Sequence, residues 1–184
     1  MITKTHMRSS LSQSNMQLVT GKKLQLQHPC VGIACHQGDL YITSGTALCK
    51  YTMSGKQVSK MYENTSGSFT VWKCTMSPTG DKLYLTNFSQ CKLLTLARDG
   101  TLLATFTDSE LQHPDGLHVT PAGQVLVCGV LSNTILQVNC MGRDKLATLA
   151  TRDDKMVYPQ SVCYNRHTAS IMVGLDWYHY PVVI

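Results

Sequence analysis

The chain has 184 residues, of which 43% are hydrophobic and 15% are charged, and its formal net charge is +5. This composition excludes an intrinsically disordered chain and a coiled coil, because both need a larger charged fraction. The longest apolar run, residues 125–131, is too short to cross a bilayer as a helix, so we expect no membrane association.

The N-terminal residues 1–15 are polar and lack the apolar stretch of a secretory signal. We therefore expect an irregular or disordered N-terminal segment in a cytoplasmic protein. Residues 16–175 are predicted to form the folded region, and residues 176–184 break its pattern and are expected to be an irregular tail.

A repeat runs through the folded region. Gly38, Gly80 and Gly123 each precede a short apolar strand and lie 42 and 43 residues apart. A second set of glycines, Gly55, Gly100 and Gly142, follows in phase, and each is again followed by a predicted strand, at residues 57–61, 102–106 and 145–150. Internal repeats of 40 to 50 residues are typical of propellers and solenoids.

Each unit is predicted to hold four short strands, which in the third unit lie at residues 116–119, 124–128, 134–139 and 145–150. The dipeptide His28-Pro29 before the first unit recurs as His113-Pro114 before the third unit and as Tyr158-Pro159 before the partial unit that follows. No segment has a sustained helical period. Four strands in 42 to 45 residues are the size of a propeller blade, so the predicted fold is an all-β, incomplete β-propeller of antiparallel blades.

The predicted blade count is three full blades and two half blades. Residues 16–26 match only the last two strands of a unit, with a turn at Gly21. Residues 159–163 and 170–174 match only the first two strands of another unit.

Motifs for metal or covalent chemistry are not recognisable in the sequence. The eight cysteines form no Cys-x-x-Cys pair, which predicts buried structural thiols. No Gly-x-Ser-x-Gly elbow and no phosphate-binding glycine loop are found. We therefore predict no catalytic residue, no metal ligand and no cofactor, and we expect no small-molecule substrate.

The third unit resembles an NHL repeat: Pro114-Asp-Gly116 is followed by a strand, then by Gly123, by a strand from Asn133 and by Gly142. More closely, the chain resembles the NHL-like propellers of tripartite-motif (TRIM-like) proteins. This resemblance implies a six-bladed parent, of which the sequence covers about four blades, and a role in choosing substrates for a ubiquitin ligase. RING and B-box modules, which ligase activity would need, are not in this sequence.

The predicted function is therefore a non-catalytic protein-interaction scaffold in the ubiquitin pathway. One alternative is an RNA-binding module, because lysines and aromatic residues are frequent in the first two units. Another alternative is the remnant of a propeller enzyme of the lyase or lactonase type. A protein is the expected partner, with RNA as the second choice.

The binding surface is expected on the loops at one end of the blades, since loops held on rigid strands carry contacts in such folds. The candidate partner-binding residues on these loops are His28, Trp72, Lys73, His113, Asp115 and Tyr158.

Overall fold

The computed structural model describes residues 23–176 and 181–184. In this part of the chain every regular element is a β-strand except one turn of 3-10 helix, Arg152–Asp154. Four antiparallel sheets lie in a ring and form a β-propeller of four blades. The predicted all-β propeller fold is therefore confirmed.

The blades follow one another along the chain. Blade 1 consists of β1 (Gly32–His36), β2 (Asp39–Thr43), β3 (Ala47–Thr52) and β4 (Gln57–Glu63). Blade 2 consists of β5 (Cys74–Met76), β6 (Lys82–Asn87), β7 (Lys92–Ala97) and β8 (Leu102–Phe106). Blade 3 consists of β9 (Pro114–Val119), β10 (Val125–Gly129), β11 (Thr134–Val138) and β12 (Lys145–Ala150). Blade 4 consists of β13 (Pro159–Asn165), β14 (Ser170–Leu175) and β15 (Val182–Val183).

Glycine turns set the length of each hairpin. Gly38, Gly80 and Gly123 have φ angles of 83°, 73° and 83°, in the left-handed region that a residue with a Cβ rarely adopts. They end the turns between the first and second strands of blades 1 to 3. Each of these turns needs a residue with a positive φ, and glycine is the residue that adopts it most easily. The spacing of the three glycines in the sequence therefore predicts the positions of the hairpins.

In blades 1 to 3 the second and third strands are largely buried on both faces, whereas the outer strands are largely exposed to solvent. All five residues of β10 are buried, while β4 has only exposed and half-buried residues. This gradient arises because the sheets stack face to face around a common axis. It also explains why the middle strands read as continuous apolar runs rather than as alternating patterns.

The hydrophobic core is divided into layers between adjacent blades. Tyr41 and Leu48 of blade 1 pack against Leu83 and Leu85 of blade 2. Corresponding layers lie between blades 2 and 3, around Val127 and Leu136, and between blades 3 and 4, around Leu126, Ile135, Val162 and Val173. Each blade therefore depends on its neighbours for the burial of its apolar faces.

Near the axis the first strands approach each other closely. A Cβ on Gly116 would lie 2.6 Å from the carbonyl oxygen of Gln160 and 2.7 Å from Cα of Ser161. A Cβ on Gly32 would lie 3.0 Å from Cα of Lys73. A cavity of about 320 Å³ remains at the centre and is lined by residues from the first strand of every blade.

The two ends of the chain differ from the predicted half blades. Residues 176–184 were expected to be an irregular tail, but within them Val182–Val183 form β15, which pairs antiparallel with Met172 and Val173 of β14. Of the predicted N-terminal half blade, residues 16–22 lie outside the described residues, as does the segment 1–15. Residues 23–26 form no strand; Leu24 and Leu26 instead pack against the free face of blade 1.

The close approach at the axis gives a test of blade packing. We expect Gly116→Ala to destabilise the protein by about 1–3 kcal/mol, because the added methyl group overlaps backbone atoms of blade 4 that cannot rotate away. Chemical denaturation monitored by far-ultraviolet circular dichroism measures this change.

Gly67→Ala is the matched control. Gly67 also lacks a positive φ, and its added Cβ would meet only Thr70 Cγ2, at 3.8 Å. We expect a change within about 0.5 kcal/mol there, as for ordinary surface positions. Equal effects of the two substitutions would contradict the described approach of blades 3 and 4.

Candidate functional site

The candidate site lies at the end of the blades where the first strands begin. Trp72 lies two residues before β5, and its backbone is tied to the neighbouring strand: its N–H donates to the Thr86 carbonyl at 2.8 Å, and the N–H of Thr86 donates to the Lys73 carbonyl at 3.0 Å. The side chains of Trp72 and Lys73 are therefore carried by an extension of the sheet of blade 2 rather than by a free loop.

Four rings form a continuous cluster at this end. The ring centroids of Phe69 and Trp72 are 4.9 Å apart, those of Trp72 and Phe88 are 5.9 Å apart, and those of Phe88 and His113 are 4.6 Å apart. The Phe88 N–H also donates to the Phe69 carbonyl at 3.0 Å. We call Phe69, Trp72, Phe88 and His113 the aromatic surface.

Two members of the aromatic surface have strained backbones. Phe69 and His113 have φ angles of 58° and 51°, in the left-handed region that is unfavourable for bulky side chains. Phe69 is nevertheless 48% exposed, so core packing does not explain why its ring is held in place. Strained residues that present a side chain to solvent are characteristic of binding sites.

A polar chain connects the aromatic surface to the axis. The indole Nε1–H of Trp72 donates to Asp115 Oδ1 at 3.1 Å, which links blade 2 to blade 3. The ammonium group of Lys73 donates to the Val31 carbonyl at 3.2 Å and lies 5.4 Å from the centroid of the Trp72 ring. Trp72 is thus fixed by a hydrogen bond on one side and by a cation over its ring on the other.

The carboxyl group of Asp115 is half-buried next to this chain. Burial raises its pKa above the ordinary value, while the charge of Lys73 and the hydrogen bond from Trp72 partly oppose this rise. Asp115 is therefore an acceptor that the fold places in a poorly solvated position, where its charge is only partly compensated.

The six predicted site residues do not all lie in one place. Trp72, Lys73, Asp115 and His113 lie together at the aromatic surface and its polar chain. His28 instead shares a hydrogen bond of 2.7 Å between its Nε2 and the hydroxyl of Tyr51, in blade 1. Tyr158 is exposed, and its N–H donates to Asn133 Oδ1 at 2.9 Å.

His28 and His113 were expected at equivalent positions of the repeat, and this expectation is wrong. His113 directly precedes β9, whereas His28 lies four residues before β1. Tyr158 does correspond to His113: both directly precede a first strand and both have a positive φ.

Phe69 lies on the same predicted binding loop as Trp72, but its side chain is not singled out there, and nothing in the sequence indicates Phe88. Phe69 follows a Ser-Gly-Ser loop, and Phe88 lies in an Asn-Phe-Ser glycosylation motif, so neither residue type stands in a pattern that by itself indicates binding. Asn87 of that motif is buried and its amide donates to Gln90 Oε1 at 3.2 Å. The signal available in the sequence was the placement of two of the three phenylalanines outside the apolar strand runs.

The cysteines are less uniformly buried than predicted. Cys49, Cys74 and Cys128 are buried, and burial raises the pKa of the Cys74 thiol to about 12. Cys91 is half-buried, and Cys30, Cys35, Cys140 and Cys163 are exposed because they lie in loops and on the free faces of the end blades.

No group of three or more metal-ligating side chains occurs within residues 23–176 and 181–184. In the same part of the chain, no helix is long and apolar enough to span a membrane.

The chain is similar to several solved β-propellers. A chain of a nidogen/laminin complex superposes with a TM-score of 0.71 and 17% identity over 84% of this chain and 60% of that chain. Virginiamycin B lyase from Staphylococcus aureus superposes with a TM-score of 0.67 and 16% sequence identity, over 84% of this chain and 52% of the lyase chain. The computationally designed Ika4 protein superposes with a TM-score of 0.67 and 9% sequence identity, over 90% of this chain and 98% of the Ika4 chain.

These likenesses show the β-propeller fold. The chain spans 60% of the nidogen/laminin chain and about half of the lyase that it matches. No family model matches the sequence, and no curated protein matches it either.

The raised pKa of Asp115 predicts a specific pH dependence. The carboxyl group of Asp115 stays protonated to a higher pH in the folded state than in the unfolded state. The free energy of unfolding therefore decreases as the pH rises from the ordinary pKa of Asp115 to its higher pKa in the folded protein. Asp115→Asn keeps an oxygen acceptor for Trp72 and removes the charge.

We therefore expect Asp115→Asn to be as stable as the wild type below the ordinary pKa of Asp115 and more stable near neutral pH. Urea denaturation across this pH range measures the difference, and Asp153→Asn on an exposed helical turn is the control. A stability difference that is independent of pH would contradict the placement of Asp115.

Proposed function

We propose that this chain is a protein-binding module whose partner docks on the aromatic surface. The observation that carries the proposal is the exposed ring of Phe69, held in a strained backbone conformation and packed edge-on against Trp72. Phe and Trp are both enriched in protein interfaces, and Trp is among the residues that most often dominate the binding energy.

The surroundings of the aromatic surface favour a peptide segment with an apolar or aromatic side chain. Phe69 and Trp72 offer a ring face and a ring edge, which complement another aromatic or proline ring. The charge of Lys73 is partly balanced by Asp115, so a strongly charged partner gains little there. The nidogen/laminin propeller is a neighbour that was solved in a protein complex, and its fold supports the same use here.

The resemblance of residues 114–142 to NHL repeats supports a narrower form of the proposal. In a parent protein of the tripartite type, a module of this kind would select the substrate of the ligase in the cytoplasm. This form rests on sequence resemblance, and the binding of a protein segment at the aromatic surface does not depend on it.

RNA binding is the second candidate, and the observation that favours it is that the Lys73 ammonium group lies beside the Trp72 ring of the aromatic surface. However, the Lys73 ammonium group already donates to the Val31 carbonyl, and that of Lys92 donates to Gln90 Oε1 at 3.1 Å. Phosphate contacts would have to replace these hydrogen bonds. An enzyme remains the third candidate because lyases share the fold.

The aromatic surface can be tested with a displayed library of random 12-residue peptides, selected on the immobilised protein. We expect selected peptides to bind Phe69→Ala about tenfold or more weakly than the wild type, since truncating a residue that dominates an interface costs about 2 kcal/mol or more. Isothermal titration calorimetry measures the affinities, and thermal melting confirms that the variant is folded.

Leu102→Ala is the matched control, because Leu102 is 46% exposed on the outer strand β8, outside the aromatic surface. We expect its affinities to stay within twofold of the wild type. Peptides that bind Phe69→Ala as tightly as the wild type would contradict the proposal. Retention of RNA that is lost in Lys73→Glu would favour the second candidate instead.

A further inference from the structure

A ring on a left-handed backbone recurs at one position of three successive blades. Phe69, His113 and Tyr158 have φ angles of 58°, 51° and 48°. The carbonyl of each accepts a hydrogen bond from the first residue after the second strand of the same blade, at 3.0, 3.3 and 3.0 Å. The three donors are Phe88, Val130 and Asp176. The repeat therefore places a ring at the same point of blades 2, 3 and 4.

The preceding blade holds this backbone in place. The His113 N–H donates to Cys91 Sγ of blade 2 at 3.4 Å, and the Tyr158 N–H donates to Asn133 Oδ1 of blade 3 at 2.9 Å. Cys91 and Asn133 both lie directly before the third strand of their blade. Because the neighbouring blade supplies the acceptor, the backbone that carries the His113 ring is ordered before any partner binds.

In blades 2 and 3 the recurring rings form a row with Phe88 between them. The centroid of the Phe88 ring lies 6.5 Å from that of Phe69 and 4.6 Å from that of His113, with interplanar angles of 89° and 67°. Phe69 is exposed, and Phe88 and His113 are half-buried, so the row retains surface for a partner. We call Phe69, Phe88 and His113 the ring row. It belongs to the two blades on which all four strands are described.

The spacing of the ring row suits a polyproline II helix. One turn of this helix has three residues and advances about 9 Å, which fits between Phe69 and His113, whose centroids are at most about 11 Å apart. Two prolines three residues apart lie on the same side of such a helix. They can therefore each contact one of the two outer rings of the row.

The backbone beside the ring row is already engaged, which disfavours the addition of a strand. Val71 exchanges both of its backbone hydrogen bonds with Gly45, at 3.0 and 3.1 Å, and the Trp72 N–H donates to the Thr86 carbonyl. A partner strand would have to break these bonds to form a ladder. A polyproline II segment needs no ladder, because it has no internal hydrogen bonds and docks through side chains on aromatic surfaces.

We propose that the ring row binds a proline-rich segment of a partner protein in the polyproline II conformation. Two prolines of the segment, three residues apart, contact Phe69 and His113, and the residues between them cross Phe88. Both sides are ordered in advance, so association costs little conformational entropy. This inference rests on the proposed protein-binding function and specifies its partner.

The probes are two fluorescein-labelled peptides, each with three repeats of Pro-Leu-Pro. One is made of L-amino acids and the other of D-amino acids, so that they share composition and hydrophobicity but form polyproline helices of opposite hand. Fluorescence anisotropy measures their affinities for the whole chain. We expect saturable binding of the L-peptide and at least tenfold weaker binding of the D-peptide.

Variants of the protein test the contact with each outer ring. Phe69→Asn and His113→Asn remove one ring each and introduce a residue that tolerates a left-handed backbone. We expect each variant to bind the L-peptide at least fivefold more weakly than the wild type. Leu102→Ala, on the outer strand β8, should stay within twofold. Thermal melting of each variant confirms that a loss of binding does not reflect unfolding.

The proposal is overturned if the L-peptide does not bind, if the two peptides bind equally, or if His113→Asn leaves the affinity for the L-peptide unchanged. Library peptides that lose affinity for Phe69→Ala, combined with an L-peptide that does not bind, overturn the proline-rich partner and support the protein-binding function. Library peptides that are insensitive to Phe69→Ala, combined with an L-peptide that does not bind, overturn both.

Discussion

The face-to-face packing of neighbouring sheets is the constraint on which the rest of the structure depends. No blade buries its own apolar side chains: Leu85 requires blade 1, Leu136 requires blade 2 and Val162 requires blade 3. The sheets can stack this closely at the axis because the first strands carry glycine at the contacts, as Gly116 does against blade 4. A single sheet of this chain would expose two hydrophobic faces and would not be stable alone.

The same stacking places the candidate site. Trp72 and Asp115 are 43 residues apart in the chain, yet their side chains are joined by a hydrogen bond because blades 2 and 3 are adjacent. The Lys73 contact with Val31 links blades 1 and 2 in the same way. The rings of Phe69 and Phe88 therefore rest on three blades that hold each other in place, so that a binding partner meets a surface that is already ordered.

The sequence predicts the unit of this fold well and the site only in part. The turns at Gly80 and Gly123 have a positive φ that favours glycine, so the repeat length can be recognised from the spacing of these glycines in the sequence. The predicted strands at residues 102–106 and 145–150 coincide with β8 and β12. The contacts of Phe88 with Trp72 and His113 depend on how loops of different blades meet. No pattern of neighbouring residues in the sequence predicts these contacts between loops. The strand β15 in the tail could not be located from the sequence either, because the pairing of Val182 with Val173 depends on a distant strand edge.

Backbone amide hydrogen exchange tests the stacked architecture most directly. Because the middle strands are buried by two neighbouring blades, the amides of Leu83–Leu85 and Val125–Val127 should exchange only through global unfolding and with a common free energy of opening. The amides of the exposed outer strand β4 should exchange faster, through local fraying. Opening free energies of the β6 and β10 amides that are as low as those of β4, or that differ between blades 2 and 3, would contradict the account.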